Sequence, residues 1–335
     1  MGDDLTIVIY AALLAFAISA IICPIIIPFF RRLKLGQSIR EDGPQSHLSK
    51  AGTPFMGGIA IIVAFTAVSV FFITDGPEVL PVILCTVGYC FIGFCDDFIK
   101  RIMKRNLGLR AWQKMAMQIF VAGGFVALLF WQGVETTVFV PFIGTQLNLG
   151  ILYIPFIFFV VIGTANGVNL TDGLDGLASG VTVLVALFFV FVSLVLGSAL
   201  TPVIAAAAGA LLGFLLFNAH PARIFMGDMG SLALGGFVAS TAVLLGMELL
   251  IPIVGLIYMV EVFSVMLQVG YYKLTKKETA PGSGKFQGKR LFKMAPIHHH
   301  YEQKGWPETK VVAVFHIITA IMCLVGFLAI SPLLA

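Results

Sequence analysis

The sequence predicts an all-α, polytopic integral membrane protein of about ten transmembrane helices, with both termini extracytoplasmic and its polar site on the cytoplasmic face. Three observations carry this. Hydrophobic residues make up 59% of the 335-residue chain and charged ones only 11%, against roughly 25% charged in a soluble domain. Apolar runs of roughly 20 residues, each long enough to cross about 30 Å of hydrocarbon, recur from end to end. The basic residues then sort onto alternate connections between those runs.

In chain order the runs are 5–30, 55–74, 79–95, 113–133, 149–165, 176–197, 201–217, 231–247, 250–272 and 311–333. The first exceeds the apolar core of a cleavable signal and follows Asp3 and Asp4, not basic residues, so it reads as a retained span. Together the runs form one membrane domain, 1–335, with no substantial soluble part. Cys23, Cys85, Cys90, Cys95 and Cys323 lie in or at the ends of the runs without paired spacing, and read as buried hydrophobes.

The connections alternate between two sides. One side holds 31–54, 96–112, 166–175, 218–230 and 273–310, and with Lys114 at its edge collects all 21 lysines and arginines. The other has none, but carries Asp75, Glu78, Glu135 and Glu248. The positive-inside rule makes the basic side cytoplasmic. The net charge of +4 is therefore a topology signal. A nucleic-acid partner would need a basic soluble face, so none is expected. Segment 134–148 alternates apolar and polar residues and reads as a small outer hairpin.

Five polar clusters gather on the basic side. In "GTANGVNLTDGLDGLASG" (163–180), Asn166, Asn169, Asp172 and Asp175 recur every three residues and line one face if the stretch is helical. A polar turn of the same composition is the plainer alternative. "FNAHPARIFMGDMGSLALGG" (217–236) sets Asp228 between Gly227 and Met229 at the expected start of a helix, where a capping role competes with a ligand role. Phe225 there is either core or a face for a flat ring. "MAPIHHHYEQKGW" (294–306) carries His298, His299 and His300, with Lys285, Lys289, Arg290 and Lys293 ahead of them. No cysteine or carboxylate stands at zinc-ligand spacing, so phosphate binding or proton transfer is the better reading. "QSHLSKAGTPFMGG" (45–58) offers Lys50 to an anion, or is a simple loop. "GFCDDFIK" (93–100) closes an apolar run with Asp96 and Asp97. Asp97 and Lys100 are three apart and share a helix face. Asp96 is rotated by about 100° and should point elsewhere. Carboxylates and amides suit Mg²⁺, and lysines and histidines suit phosphate, so the sum reads as metal-assisted phosphoryl chemistry at the lipid–water boundary.

These motifs resemble a known family. "SHLSKAGTPFMGG", "GFCDDFIK", "NGVNLTDGLDGLA", "FMGDMGSLALGG" and "GKRLFKMAPIHHHYEQKGWPE" match the phospho-N-acetylmuramoyl-pentapeptide-transferases, within the polyprenyl-phosphate N-acetylhexosamine-1-phosphate transferase superfamily. The resemblance runs nearly the full length. It implies transfer of phospho-N-acetylmuramoyl-pentapeptide from UDP-N-acetylmuramoyl-pentapeptide to undecaprenyl phosphate, giving lipid I and UMP, the first membrane step of peptidoglycan synthesis. Mg²⁺, the bacterial inner membrane and a homodimer are implied with it. Asp96, Asp97 and Asp228 match essential aspartates, with Asp228 and Asn169 as metal ligands. Lys50, Asn166, Asn169, Asp172, Asp175, Asn218, Phe225, Gly227 and Gln268 match the nucleotide-sugar pocket, where Phe225 would stack on uracil. Lys100 and Lys114 would hold phosphates or the uridine end. His298, as a catalytic group, and His299 and His300 would face the sugar phosphate. Sister enzymes that handle N-acetylglucosamine share the aspartates but interrupt the histidine run, and are the nearest alternative.

Glu261 and Gln268 lie seven apart on one face of the ninth run. A structural hydrogen bond and a role in the site are equally open for Glu261. An anionic-solute transporter is the remote alternative. Such proteins bind near the midplane and show inverted repeats, whereas these polar groups keep to one face and no repeat is seen.

Overall fold

A computed structural model describes residues 2–33, 50, 52–102, 108–278 and 286–333. The chain is a bundle of helices: α1 (Gly2–Arg32), α2 (Gly58–Ser69), α3 (Val79–Ile102), α4 (Ala111–Trp131), α5 (Tyr153–Thr171), α6 (Leu177–Leu196), α7 (Thr201–Asn218), α8 (Gly227–Leu244), α9 (Ile251–Val254), α10 (Leu256–Leu274), α11 (Ile297–Glu302) and α12 (Glu308–Ala329). Two short antiparallel hairpins interrupt it. One is β1 (Thr137–Phe139) with β2 (Gln146–Asn148), inside the segment expected to form a hairpin. The other is β3 (Lys277–Glu278) with β4 (Phe286–Gln287).

Among the described residues, eight helices are long and apolar enough to cross a membrane. This is a polytopic membrane protein. The ninth expected run is broken: α9 and α10 meet at an angle of 81°. Gly255 stands at the break, and Pro252 lies just before it. The second expected run, 55–74, yields only α2 and a single 3₁₀ turn, Val70–Phe72.

Two helices outrun the apolar runs that announced them. α3 continues seven residues past 95 and α5 six past 165, so Asp96, Asp97, Lys100, Asn166 and Asn169 stand on helical turns, not in loops. Each of these side chains has a polar partner on another element, so extending the helix leaves no buried group unsatisfied. Lys34, Arg40, residues 45–49, Lys104, Arg105 and Lys285 lie outside the described residues.

The core centres on α8, "GDMGSLALGGFVASTAVL", which is 89% buried. Its small residues let neighbouring backbones approach closely, the usual means of packing helices where lipid supplies no hydrophobic drive. A Cβ on Gly93 of α3 would collide with the Asp228 carbonyl, one on Gly58 of α2 with Gly230, and one on Gly235 with Ala165 of α5. Three helices thus converge on the central helix, and two of these approaches lie in its first turn. By contrast α1, α4 and α12 turn apolar side chains outward, with Phe120 and Trp131 both 83% exposed, as lipid-facing helices do.

The Gly93 approach gives a first expectation. Gly93→Ala forces α3 away from Asp228, and overpacking of this kind costs about 1–3 kcal/mol. Thermal denaturation in detergent should show the loss, and turnover should fall with it. A variant with wild-type melting and activity would contradict the close packing.

Candidate active site

The last turns of α3 and the first turn of α8 meet at one end of the bundle. There one carboxylate oxygen from each of Asp96, Asp97 and Asp228 lies within 4.8 Å of the other two. Lys100, on the turn after Asp96, bridges the set: its Nζ is 2.6 Å from Asp96 Oδ2 and 2.8 Å from Asp228 Oδ2. Lys114, in the first turn of α4, adds a second ammonium 3.1 Å from Asp228 Oδ2. Asn169 donates through Nδ2 to Asp228 Oδ1 (2.9 Å) and to Ser231 Oγ (2.8 Å), and its Oδ1 accepts from Lys114 Nζ at 3.3 Å.

The Asp96–Asp97 pair does divide, but opposite to the face reasoning. Lys100 pairs with Asp96, four residues before it, and not with Asp97. Asp96 also accepts the Leu109 N–H through Oδ1 at 2.7 Å. Asp97 is wholly buried and turns to the backbone of α8. Its Oδ1 accepts the Asp228 N–H (3.3 Å) and its Oδ2 the Met229 N–H (3.0 Å). An i,i+4 pair brings a long lysine chain back over the preceding turn, whereas Asp97 is the closer carboxylate to the unpaired N–H groups opening α8. A carboxylate there also opposes the positive end of the helix dipole. Asp97 is thus a cap supplied by another helix. Gly227, with φ of 76°, makes the turn that exposes those N–H groups, and a Cβ on it would stand 2.7 Å from Asp97 Oδ2.

A second cluster surrounds the 172–175 turn. Lys50 Nζ lies 2.7 Å from Asp175 Oδ1 and 2.6 Å from Glu308 Oε1, with the Phe225 ring centroid 5.9 Å away. His220 Nδ1 is 3.1 Å from Asp175 Oδ2. Asp175, His220 and Glu308 are close enough to hold a metal, but the Lys50 ammonium already occupies both carboxylates. The first cluster fits a divalent ion better. Its donors are carboxylate and amide oxygens, with no imidazole among them and a third carboxylate, Asp97, that no lysine engages.

Asp172 belongs to the same turn. Burial, then the charges of Asp228 and Asp175, push its carboxyl up to about 7, and a hydrogen bond from the Gly227 N–H opposes them. The unfolded value is near 3.8. Between these pH values the folded chain keeps a proton that the unfolded chain has lost, so stability falls as pH rises from about 4 to about 7. Melting temperature followed across that window should fall with pH in the wild type and less steeply in Asp172→Asn. Parallel slopes would contradict the shift.

The remaining expected residues divide. Asn166 pairs reciprocally with Gln118, its Nδ2 donating to Gln118 Oε1 at 2.8 Å. Asn218 is buried, accepting from Ser179 Oγ (2.7 Å) and donating to the Ile224 carbonyl (3.0 Å), which braces the strand of chain leading to Phe225. Gln268 grips the backbone of 291–292: its Oε1 accepts both N–H groups at 2.9 Å and its Nε2 donates to the Phe292 carbonyl at 3.1 Å. The three histidines were expected to face one region together. They face three ways instead, because successive residues of a helix are about 100° apart. His298 turns into the core, His299 Nδ1 lies 2.8 Å from Glu302 Oε2, and His300 Nδ1 accepts the Lys293 N–H at 3.0 Å. Partial burial and the Lys304 and Lys293 charges hold His300 below the usual imidazole range, which keeps that nitrogen free to accept.

Gln118, His220 and Glu308 also belong to these clusters and were not among the expected residues. Gln118, one turn after Lys114 inside an apolar helix, carried a usable signal. Glu308 and His220 did not, since only the fold brings them to Lys50.

The glycosyl transferase family 4 profile matches residues 79–246, from α3 to just past α8. The phospho-N-acetylmuramoyl-pentapeptide-transferase of Clostridioides difficile (strain 630) is 49% identical over 327 residues, covering 96% of this chain and 97% of its own. That of Clostridium perfringens (strain 13 / Type A) is 48% identical over 323 residues, covering 96% and 98%. Near-half identity across almost the whole of both chains, with the aspartate clusters inside the matched region, shows that this membrane enzyme belongs to the phospho-N-acetylmuramoyl-pentapeptide-transferase family.

Proposed function

We propose that the protein transfers phospho-N-acetylmuramoyl-pentapeptide from its UDP-linked donor to undecaprenyl phosphate, releasing UMP and forming lipid I. We place the reaction at the cytoplasmic face of the bacterial inner membrane, with both termini outside, and take the protein to act as the homodimer its family resemblance implies. The observation that carries the reading is the convergence of Asp96, Asp97, Asp228, Lys100, Lys114 and Asn169 at one end of the bundle. Family names and the unbroken histidine run favour the N-acetylmuramoyl donor over UDP-N-acetylglucosamine.

Asp228 and Asn169 would hold Mg²⁺, with Asp96 adding negative charge behind them. When bound, the ion supplies charge neutralisation for a pyrophosphate and its departing UMP. Lys100 and Lys114 are placed to take phosphate oxygens in exchange for their present carboxylates. Phe225, half-buried beneath Lys50, offers a face to uracil, and Asp172 and Asp175 line the turn beside it.

The acceptor phosphate has a second pKa near 6 and is largely a dianion at pH 7, so the site must overcome repulsion more than activate a nucleophile. Direct in-line attack on the sugar-linked phosphorus meets that need. A phospho-aspartate on Asp97 is disfavoured, since both of its oxygens are engaged by backbone N–H groups of α8. Two experiments test these statements. Purified protein with polyprenyl phosphate should release UMP from UDP-N-acetylmuramoyl-pentapeptide in preference to UDP-N-acetylglucosamine; the opposite preference would overturn the substrate. A donor chiral at phosphorus should react with inversion, and net retention would sink direct attack.

A further inference from the structure

Glu261 is fully buried and is the one acidic residue of α10. Both of its oxygens are used. Oε2 accepts the Ile297 N–H at 2.9 Å, at the start of α11, and Oε1 lies 3.0 Å from Nδ1 of His298. A carboxylate can only accept, so the imidazole donates through Nδ1–H. That assignment decides the other ring nitrogen, which in a neutral imidazole then carries a lone pair and no proton.

His298 Nε2 is itself buried and, among the described residues, has no hydrogen-bond partner. It reaches the backbone of the 172–175 turn. A Cβ on Gly173 would collide with Nε2 and with its neighbouring ring carbon. Gly173 is only half-buried, so the nitrogen lies one glycine beneath the surface, at the turn that carries Asp172 and Asp175. A purely structural link between α10 and α11 would be complete with the Ile297 bond. It would not leave a ring nitrogen unpaired in the interior, where each such group costs about 1–3 kcal/mol.

We propose that Glu261 is a positioning residue acting through His298: it fixes the imidazole as the Nδ1–H tautomer and aims Nε2, as a bare acceptor, at the 172–175 turn. The proposal rests on the reading that this turn faces the nucleotide-sugar donor. The bound donor supplies the absent partner, an O–H or N–H group. Gly173, lacking a side chain, is the residue that lets the ring nitrogen come this close to the turn.

The test uses the full chain in detergent with polyprenyl phosphate and UDP-N-acetylmuramoyl-pentapeptide. Glu261→Gln keeps the shape and the Ile297 bond, but its NH₂ donates to Nδ1, which moves the ring proton to Nε2 and turns the bare acceptor into a donor without orphaning a buried group. It should lower kcat by about 10- to 100-fold, as loss of a carboxylate behind a functional histidine does, with donor KM and melting temperature near wild type. His298→Asn keeps a donor toward Glu261 and removes Nε2. The double variant should lose no more than His298→Asn alone, because the carboxylate acts only through the ring. Unchanged kcat in Glu261→Gln overturns the proposal. So do additive losses in the double variant, or a fall in melting temperature and donor affinity together with kcat, which marks a structural link. A wild-type chain that does not turn the donor over overturns the functional reading first, and this proposal with it.

Discussion

Asp228→Asn should reduce turnover by about 1,000-fold or more, the scale set by removing a charge-stabilising group from a phosphoryl site. The side chain is the meeting point of the cluster: Lys100, Lys114 and Asn169 all reach it. Yet its loss should leave the fold intact. Lys100 keeps its 2.6 Å contact with Asp96, and Lys114 remains 3.9 Å from the same carboxylate. Removing one of three adjacent negative charges also relieves repulsion. The melting temperature should therefore stay within a few degrees of wild type, while Mg²⁺ added up to saturation fails to restore turnover. A variant that keeps more than about a tenth of wild-type turnover would remove Asp228 from the ion and from the chemistry.

Asp97→Asn should behave differently, although it changes a carboxylate in the same cluster. Both Asp97 oxygens accept backbone N–H groups of α8. An asparagine turns one of them into an amide NH₂ facing an N–H, leaving a buried donor unsatisfied and a charge–dipole interaction lost. Charge-assisted bonds of this kind are worth about 1.5–3 kcal/mol each. Stability should fall by about that much, and turnover by about 100-fold, because a shift of 1 Å in the first turn of α8 carries Asp228 with it. Thermal denaturation and a turnover assay, run on one preparation, separate the cases. Wild-type melting with abolished turnover would restore a direct chemical role to Asp97, the role that its spacing from Lys100 suggests. A joint loss supports the cap.

These two aspartates show where sequence reading stopped. Residue spacing showed that Asp96 and Asp97 must diverge, because that follows from 3.6 residues per turn alone. It could not show which of them meets Lys100, because i,i+3 and i,i+4 pairs are both reachable on a helix. The neighbour that captures Asp97 is the start of α8, more than a hundred residues away in sequence. The histidines repeat the lesson. Their residue type announced a polar site, but their three separate partners were set by Glu261, Glu302 and the backbone of Lys293.

What the sequence determined by itself was the membrane character, the helical class, the clustering of polar groups on one set of connections and the family. These rest on local quantities: the length of an apolar run, the charge of a connection and the order of short motifs. The tertiary structure decided how far helices continue past their apolar runs, the break between α9 and α10, and which polar group completes which. Those outcomes depend on energies between elements far apart in the chain. An N–H opening α8 is satisfied by Asp97 of α3, and Lys50 by Glu308 of α12. A buried polar group takes whatever partner the packing brings within about 3 Å, and no count along the chain reveals which one that will be.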